Sequence, residues 1–368
     1  MPIYIHQLKT WPDFRWNDTV IMSLLAEVVK GQGTILGRME GIGFSLREEA
    51  SLETLTTDVV RSSEIEGELL DPAEVRSSIA RRLGIEVGGM VPYGRNVDGI
   101  VEMMLDATQH YAQPLTEERL FGWHAALFPT GRSGMNTIIA GGWRNNTAND
   151  PMRVISGMMG REKVHFQAPD AALLADEMYA FLKWFNEPAT FNPVLKAAIA
   201  HCWFITIHPF DDGNGRIARA ITDMLLARAD NTHLRFYSMS AEIRNGRKKY
   251  YDILEQTQKS DLDITPWLQW FLECLNRALI ATGNSLGMIM RKAAFWEKYN
   301  AVGLNSRQAA MLNKILDGYQ GQLTVSNWSK ITGVSTDTSG RDINGLLQLG
   351  ILEKTAAGGR STAYHFAG

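Results

Sequence analysis

Residues 208–216, His-Pro-Phe-Asp-Asp-Gly-Asn-Gly-Arg, contain the densest set of reactive side chains in the chain. They combine an imidazole, two carboxylates, two glycines, an amide and a guanidinium. The apolar pattern from Ile217 to Leu225 predicts that a helix follows directly. The first N–H groups of a helix lack partners within it, and glycines let an anion approach the backbone closely. The stretch therefore predicts a phosphate-binding loop at a helix N-terminus.

The charged side chains of this loop are suited to phosphate-transfer chemistry. Asp211 or Asp212 can hold Mg²⁺, which prefers carboxylate and phosphate oxygens. Arg216 and Arg219 can clamp further phosphate oxygens. His208 stands at the loop entrance, where a general base is expected.

The joint pattern resembles the signature of the Fic family, whose members transfer AMP from ATP to a protein hydroxyl. The matching residues are His208, Phe210, Asp212, Gly213, Asn214, Gly215, Arg216 and Arg219. The resemblance implies that His208 takes the proton of an incoming Ser, Thr or Tyr hydroxyl. It also implies that Asp212, rather than Asp211, holds Mg²⁺ across the α- and β-phosphates. Phe210 is expected to anchor the loop in the core, and Asp211 to face solvent.

The resemblance also divides the triphosphate among the remaining signature residues. Gly213, Asn214 and Gly215 would present N–H groups and an amide to the phosphates. Arg216 would stabilise charge on the β side, and Arg219 would seat the γ-phosphate. Positioning and electrostatic stabilisation are then expected to supply most of the rate.

A second motif precedes the signature in the sequence. Ser62 and Glu66 are four residues apart, so they share one face of a helix, and Gly67 allows another backbone to approach. The motif looks like the inhibitory helix of the Fic family, whose glutamate pairs with the second arginine of the signature, here Arg219. An Arg–carboxylate pair would compete with the Arg–phosphate pair that ATP requires, and would leave the nucleotide misaligned for attack.

Two further segments are assigned to the nucleotide by the resemblance. The helix Arg247–Gln258 would form the floor of the adenine pocket: Tyr250 and Gln258 would meet the edge of the base, and Tyr251 would pack nearby. Two β-prone runs around glycine, near Arg153 and Lys163, predict a hairpin. In the Fic family such a hairpin is a flap beside the signature loop. The flap residues expected over nucleotide and target are Lys163, Val164, His165 and Phe166.

Other histidines and both cysteines are assigned structural roles. His201 lies seven residues before His208 on one helix face and is interpreted as a hydrogen-bonded structural residue. His124 and His165 lack the spacing of a zinc site. Cys202 and Cys274 lie in apolar helical patterns, which favours a reducing compartment over a disulfide framework.

Bulk composition is that of an ordinary globular protein. The chain has 368 residues, 45% hydrophobic and 21% charged, with a net charge of −3. This balance gives no electrostatic drive toward nucleic acid or membranes. The N-terminal segment lacks the apolar core of a signal peptide, and the apolar run from Ala197 to Ile207 is too short to span a bilayer. We therefore expect a cytoplasmic protein.

The predicted fold is mainly α: a Fic-type helical bundle with a β-hairpin flap, an N-terminal helical cap and a C-terminal winged helix-turn-helix. The expected domains are residues 1–90 with the inhibitory helix, 95–285 as the catalytic domain and 300–368 as the winged helix. Helices are predicted at 19–30, 44–66, 101–111, 117–127, 171–185, 193–207, 215–227, 247–258, 306–316, 325–332 and 337–349.

The predicted function is transfer of AMP from ATP to a protein hydroxyl, self-modification included, under inhibition by Glu66. ATP and a target protein are the expected partners, and the resemblance allows a homodimer. Two alternatives stay open. Related domains remove AMP or transfer phosphate or other phosphate-containing groups, and Glu66 could orient a water for removal. The C-terminal module could instead make this a DNA-binding regulator, although its basic and acidic residues balance.

Overall fold

The protein is described by a computed structural model that covers residues 4–41, 43–86, 89–147, 149–157, 161, 163–299, 302–316, 319, 321–355 and 362–367. The chain divides into two compact units, Met1–Thr282 and Gly283–Gly368. The first unit holds the phosphate-binding loop, the predicted inhibitory helix and the flap.

The described part of the first unit is mainly helical. Its helices are α1 Asp18–Glu40, α2 Phe44–Ile65, α3 Pro72–Leu83, α4 Arg95–Gln109, α5 Glu117–Leu127, α6 Leu174–Asn186, α7 Pro193–Ile207, α8 Asn214–Asp230, α9 Met239–Asn245, α10 Arg247–Gln258 and α11 Thr265–Tyr299, which continues into the second unit. The predicted bounds of α5, α7 and α10 are confirmed. Helices α3, α9 and α11 are not among the predicted ranges, although Asp71 before Pro72 is a helix start signal.

Helices α7 and α8 form the centre of the first unit and carry the site between them. Helix α7 is buried on every side, as expected for a helix that is apolar all round. It begins where the side chain of Asn192 accepts a hydrogen bond from the Val194 N–H, and it packs along α8. The chain leaves α7 at His208 and enters α8 from Gly213, so the phosphate-binding loop is held at both ends by core helices.

Helix α2 borders a buried polar cluster that includes residues of α8. Arg235 is fully buried and pairs with Asp223 of α8 at 3.4 Å. Asp58 of α2 lies in the same cluster and accepts a hydrogen bond from Ser238. Burial raises the pKa of Asp58 well above its usual range, and the neighbouring Asp223 adds to that shift. The C-terminal end of α2, with Ser62 and Glu66, is thereby held at a fixed position along α8.

The predicted hairpin is present as β3 Arg153–Ser156 and β4 Lys163–Gln167, paired antiparallel with a register shift between Val154 and Ile155. Most of its predicted turn, residues 158–160, lies outside the described residues. A smaller hairpin that the sequence did not predict, β1 Arg132–Ser133 with β2 Asn136–Thr137, precedes it.

The second unit has its own core around Trp328, Ile343 and Leu346. Its further elements are α12 Ser306–Leu316, β5 Leu323–Thr324, α13 Val325–Thr332, α14 Thr336–Gln348, β6 Leu352–Lys354 and β7 Ala363–Phe366, with strand order β5-β7-β6. Helices and strands follow the predicted order, and β5 is additional. Gly358-Gly359, a pair typical of a turn, lies between β6 and β7 but outside the described residues, and the winged-helix assignment stays a prediction.

One helix among the described residues, α1, is long and apolar enough to cross a membrane by length and composition. The apolar run that was judged too short to span a bilayer, Ala197 to Ile207, lies in α7 instead. The signal is weak, because core helices and signal sequences share these properties. Helix α1 buries Ile21, Val28 and Ile35 in the first unit.

Candidate functional site

The loop that joins α7 to α8 has a strained backbone anchored by one aromatic side chain. His208 has a φ of 52°, an uncommon conformation for a residue other than glycine, and Gly213 has a φ of 78°. Phe210 is completely buried and stacks on the ring of His124 with centroids 4.2 Å apart. The prediction that Phe210 anchors the loop is confirmed.

The side chain of Asn214 closes the loop on itself. Its amide nitrogen donates to the Phe210 carbonyl at 2.8 Å, and its amide oxygen accepts from the Phe210 N–H at 3.0 Å. Each polar atom of this amide makes one hydrogen bond within the loop, which leaves its second N–H for a ligand, and the contact with a phosphate stays a prediction. The backbone around Gly213 is left to present N–H groups.

The imidazole of His208 is held in the tautomer that a general base requires. Its Nδ1 donates to the Ile205 carbonyl at 3.2 Å, and no described residue hydrogen-bonds its Nε2. Burial lowers the pKa of His208 to about 4, and the nearby Arg144 adds to that shift. The ring is therefore neutral at pH 7, with Nε2 available to accept a proton.

Arg144, which the sequence analysis missed, supports the loop from behind. Its side chain is 2% exposed and donates from Nε to the His208 carbonyl at 2.7 Å and from Nη2 to the Pro169 carbonyl at 2.6 Å. Its own N–H donates to the Pro209 carbonyl at 3.0 Å. It comes from an irregular segment 64 residues before His208, and no motif marks it.

Replacement of Arg144 by Gln should lower transfer activity on the order of 10²-fold, because the His208 backbone would lose the charge-assisted hydrogen bond that fixes its position. Unfolding free energy should fall by about 2 kcal/mol. Single-turnover rates and denaturant unfolding measure the two effects, with Arg38→Gln on the exposed surface of α1 as the control. Unchanged rates in the Arg144 variant would contradict this role.

The two aspartates of the loop are both anchored. Asp212 accepts hydrogen bonds from the Ser133 hydroxyl and, at 2.5 Å, from the Gly213 N–H. Asp211 was expected to face solvent, but its carboxylate accepts a hydrogen bond from the Ile139 N–H at 2.9 Å. The described residues contain no group of three or more metal-ligating side chains. A metal here would therefore need ligands from a bound phosphate besides a carboxylate.

His124 stabilises the loop and is not a metal ligand. Its Nδ1 accepts the Gly141 N–H at 3.0 Å, so its Nε2 carries the proton and donates to the Asp212 carbonyl at 3.1 Å. Burial lowers the pKa of His124 to about 4. Both ring nitrogens are occupied, in agreement with the sequence interpretation.

Glu66 reaches the N-terminal end of α8 and pairs with Arg219. Arg219 Nη2 donates to Glu66 Oε1 at 2.7 Å and to the Ser62 carbonyl at 2.9 Å, while its Nε donates to the Ser62 hydroxyl at 2.8 Å. A side chain at Gly215 would place its Cβ 2.1 Å from Glu66 Oε1. The carboxylate therefore lies against the first turn of α8, where the sequence analysis expects a phosphate. Gly67, at a φ of 88°, follows it in the turn after α2.

Glu68, two residues further on, pairs with the other signature arginine. Arg216 Nη1 donates to Glu68 Oε2 at 2.8 Å, and the guanidinium lies over the Phe128 ring. The sequence analysis overlooked Glu68, although it directly follows the recognised motif. One short segment thus supplies a carboxylate to each arginine of the signature.

Two guanidinium nitrogens at this place remain unsatisfied. Among the described residues, the buried atoms Arg219 Nη1 and Arg216 Nε have no hydrogen-bond partner. Buried donors of this kind normally have one. Glu66 covers the surface over Gly215, so a further anion would reach these donors by displacing its carboxylate.

A cavity of about 800 Å³ opens beside the loop. Its lining includes His208, Asp212, Gly213, Asn214, Gly215, Glu66, His165, Phe166, Tyr250, Tyr251 and Gln258, and it adds Arg247, Lys248 and Glu255, which the sequence did not single out. The remaining predicted site residues, Lys163, Val164, Arg216, Arg219, Ser62 and Gly67, do not line it. The loop, the α10 helix and the flap therefore share one cavity.

The two tyrosines of α10 have different environments. Tyr250 is buried, and its hydroxyl lies 2.9 Å from Nε2 of His201. The other ring nitrogen of His201, Nδ1, lies 2.9 Å from the Thr222 hydroxyl. His201 is therefore the structural histidine that the sequence predicted, and the Tyr250 hydroxyl contacts it, while the contact of Tyr250 with a nucleobase stays a prediction. Tyr251 is partly exposed, and its hydroxyl lies 3.4 Å from Glu66 Oε2.

Comparisons with known proteins agree with this geometry. The profile described as Fic/DOC family matches residues 114–226, and one described as a domain of unknown function, DUF4172, matches residues 4–85. Proteins named Protein adenylyltransferase Fic from Aedes aegypti and Drosophila erecta are 27% and 26% identical over 239 and 236 residues. These alignments cover 63% and 62% of this chain but 42% of each relative, so the chain spans less than half of their length.

Solved structures show the same fold at lower identity. A Fic family protein from Desulfovibrio desulfuricans is 22% identical, with a TM-score of 0.52 over 95% of this chain and 96% of that one. Fic-1 from C. elegans is 17% identical, with a TM-score of 0.50 over 75% of each chain. The loop, its buried supports and the helix that carries Glu66 therefore belong to a fold that other chains share.

Proposed function

Because the chain contains a Fic/DOC family domain, we propose that it is a protein adenylyltransferase. It transfers AMP from ATP to a Ser, Thr or Tyr hydroxyl of a protein, one of its own included, and Glu66 holds it inactive. The observation that carries this proposal is the neutral His208, whose Nε2 is available beside a helix N-terminus and two buried arginines. Its relatives named as adenylyltransferases support the same class of enzyme.

The residues present fit ATP. The buried, unpaired donors of Arg216 and Arg219 suit phosphate oxygens, and so does the surface over Gly215 once the Glu66 carboxylate has moved away. Asp212 would hold Mg²⁺ together with those oxygens, in the carboxylate-plus-phosphate arrangement that the ion prefers. When bound, Mg²⁺ supplies positive charge to the phosphates. The cavity between α10 and the flap is large enough for the nucleoside.

His208 does the proton chemistry in this mechanism. The incoming hydroxyl donates its proton to Nε2, while the Ile205 carbonyl keeps the other proton on Nδ1. Arg144 and the Asn214 side chain hold the loop, so that Nε2 and the backbone N–H groups keep one relative position. The N–H groups at the start of α8 stabilise the charge that develops on the phosphate oxygens.

Glu66 opposes this reaction because its carboxylate takes the position of a phosphate and binds the arginine, Arg219, that a phosphate would need. Its carboxylate lies over Gly215 and takes Arg219 Nη2, so a γ-phosphate would have to displace it. Two negative groups at one guanidinium repel each other, and a displaced triphosphate carries its α-phosphorus out of line with the attacking hydroxyl. ATP can therefore still bind, but the bound nucleotide does not react.

Labelled ATP tests the reaction itself. With the Glu66→Gly protein and Mg²⁺, label at the α-phosphate should become covalently bound to protein, whereas label at the γ-phosphate should not. An excess of chelator should abolish incorporation, because the phosphates would lose their cation. Retention of the γ-label would identify a phosphoryl transferase instead, and full incorporation in chelator would contradict the role of Asp212.

Glu68 should contribute a second, smaller part of the inhibition. Its carboxylate is 38% exposed, so solvent screens the pair with Arg216, which stabilises this contact by about 1 kcal/mol at most. We expect Glu66→Gly/Glu68→Gln to bind ATP about threefold more tightly than Glu66→Gly alone, since both guanidiniums become available. Calorimetric titration measures the affinity, and equal dissociation constants would show that Glu68 takes no part.

A further inference from the structure

The flap carries a serine, a histidine and a glutamate that form a hydrogen-bonded chain. Ser156 of β3 has its hydroxyl oxygen 2.6 Å from His165 Nε2, and His165 Nδ1 lies 2.6 Å from Glu255 Oε2 of α10. Ser156 is exposed, while His165 and Glu255 are about three-quarters buried. A nucleophile, a base and a group that orients the base are each within hydrogen-bond reach of the next.

The direction of these hydrogen bonds follows from their chemistry. A carboxylate can only accept, so Nδ1 of His165 donates to Glu255. In the neutral imidazole the other nitrogen, Nε2, is then an acceptor, and the Ser156 hydroxyl must donate to it. The arrangement therefore directs the serine proton toward a basic nitrogen.

Glu255 is charged under ordinary conditions. A hydrogen bond from Lys259 at 2.7 Å and the bond from His165 lower the pKa of Glu255 to about 2. A charged carboxylate stabilises the imidazolium that forms when His165 takes a proton. Glu255 is in this sense a positioning residue for His165.

The hydrogen-bonded series Ser156–His165–Glu255 lies in the same cavity as the phosphate-binding loop. Ser156, His165 and Glu255 all line the cavity that contains His208. Two other hydroxyls line it: Tyr250 is engaged with His201, and Tyr251 is near Glu66. Among the described lining residues, Ser156 is the hydroxyl that is both exposed and bonded to a base.

We propose that Ser156 is an acceptor of AMP within this chain. Its oxygen attacks the α-phosphorus of ATP, the new O–P bond replaces the bond to the β-phosphate, and diphosphate leaves. The proton of this one hydroxyl passes to His165 Nε2, whereas hydroxyls of other proteins give theirs to His208. This inference rests on the proposed adenylyltransferase function and names one substrate hydroxyl for it.

A purely structural role makes different predictions. The same three side chains could tie the flap to α10 without chemistry, and then no covalent change would occur at Ser156. Mapping of the modified residue therefore separates the two roles, whereas loss of activity alone would not.

The sequence allows an unambiguous assignment. Trypsin cleaves after Arg153 and Arg161, which releases the peptide Val-Ile-Ser-Gly-Met-Met-Gly-Arg, and Ser156 is the one hydroxyl in it. After incubation of the full-length Glu66→Gly protein with ATP and Mg²⁺, we expect this peptide to gain the mass of one adenylate. Ser156→Ala in the same background should remove that gain, and Ser156→Thr should retain it at a lower rate.

Glu255→Gln tests the role of the base. Without the charged partner, labelling of the Ser156 peptide should slow on the order of 10²-fold, as for loss of general-base assistance. Equal labelling rates would overturn the assignment of His165 as the base. Adenylate found on other peptides but not on this one would overturn the inference while leaving the proposed function intact. Adenylate on no peptide of any protein tested would mean that the proposed function itself has failed.

Discussion

Replacement of Glu66 by glycine should raise AMP transfer on the order of 10²-fold, the cost of misplacing a reacting group by about 1 Å. The change removes the carboxylate that lies against Gly215 and frees Arg219 Nη2 for a phosphate. Incorporation of α-labelled AMP measures the effect, self-modification included. The rise should be in the rate at saturating ATP, because the variant corrects the alignment of bound nucleotide.

Glu64→Gly is the matched control for that experiment. Glu64 lies two residues earlier in α2 and pairs with Arg61 and Arg244, away from the signature arginines. Its replacement introduces the same flexible residue into the same helix end without touching Arg219. A comparable rise in both variants would mean that loosening of the helix, rather than removal of the Glu66 carboxylate, activates the protein.

Replacement of His208 by alanine should lower transfer on the order of 10²- to 10⁴-fold, the usual contribution of a general base. The dissociation constant for ATP should change little, because the phosphates are expected to bind the helix N-terminus and the arginines. Since burial keeps the pKa of His208 near 4, the ring is neutral at pH 7 and its loss removes a base rather than a charge. The experiment is best done in the Glu66→Gly background, where the rate is measurable.

Exposed His233 provides the control, as His233→Ala removes an imidazole far from the cavity lining. A His208→Ala protein that transfers AMP at the rate of the control would refute the base assignment. A protein that fails to bind ATP would instead show that His208 maintains the loop structure, since its backbone has an uncommon conformation.

The helices whose bounds were predicted correctly are those with clear start signals or a clear apolar pattern in the local sequence. Helices α5, α7 and α10 have their bounds as predicted, and Thr116 and Asn192 cap the first two. Helix α3 was missed because its sequence is largely polar, so apolar periodicity gives little signal there. The stretch between the second and third expected domains, residues 286–299, received no prediction, and in the structure it continues α11 to Tyr299.

The site was predictable in so far as its residues are neighbours in sequence. The base, the glycines and the arginines fall within twelve residues, 208–219. Arg144 was missed because it meets the loop through tertiary contacts alone. The use of the Asn214 amide depends on the turn of the loop, which places it opposite the Phe210 backbone. Spacing identifies the participants here, and packing determines which of their atoms are used.

The buried ionic cluster beneath α2 limits how inhibition can be relieved. Asp58 and Ser62 of α2 are buried and hydrogen-bonded to Ser238 and Arg219, so swinging the helix outward would break these buried hydrogen bonds and resemble partial unfolding. A rotation of the Glu66 side chain alone requires no such opening. Any physiological signal that activates this protein therefore acts most cheaply on a single rotamer at the helix end, and amide exchange along α2 should be equally slow in the resting and the activated states.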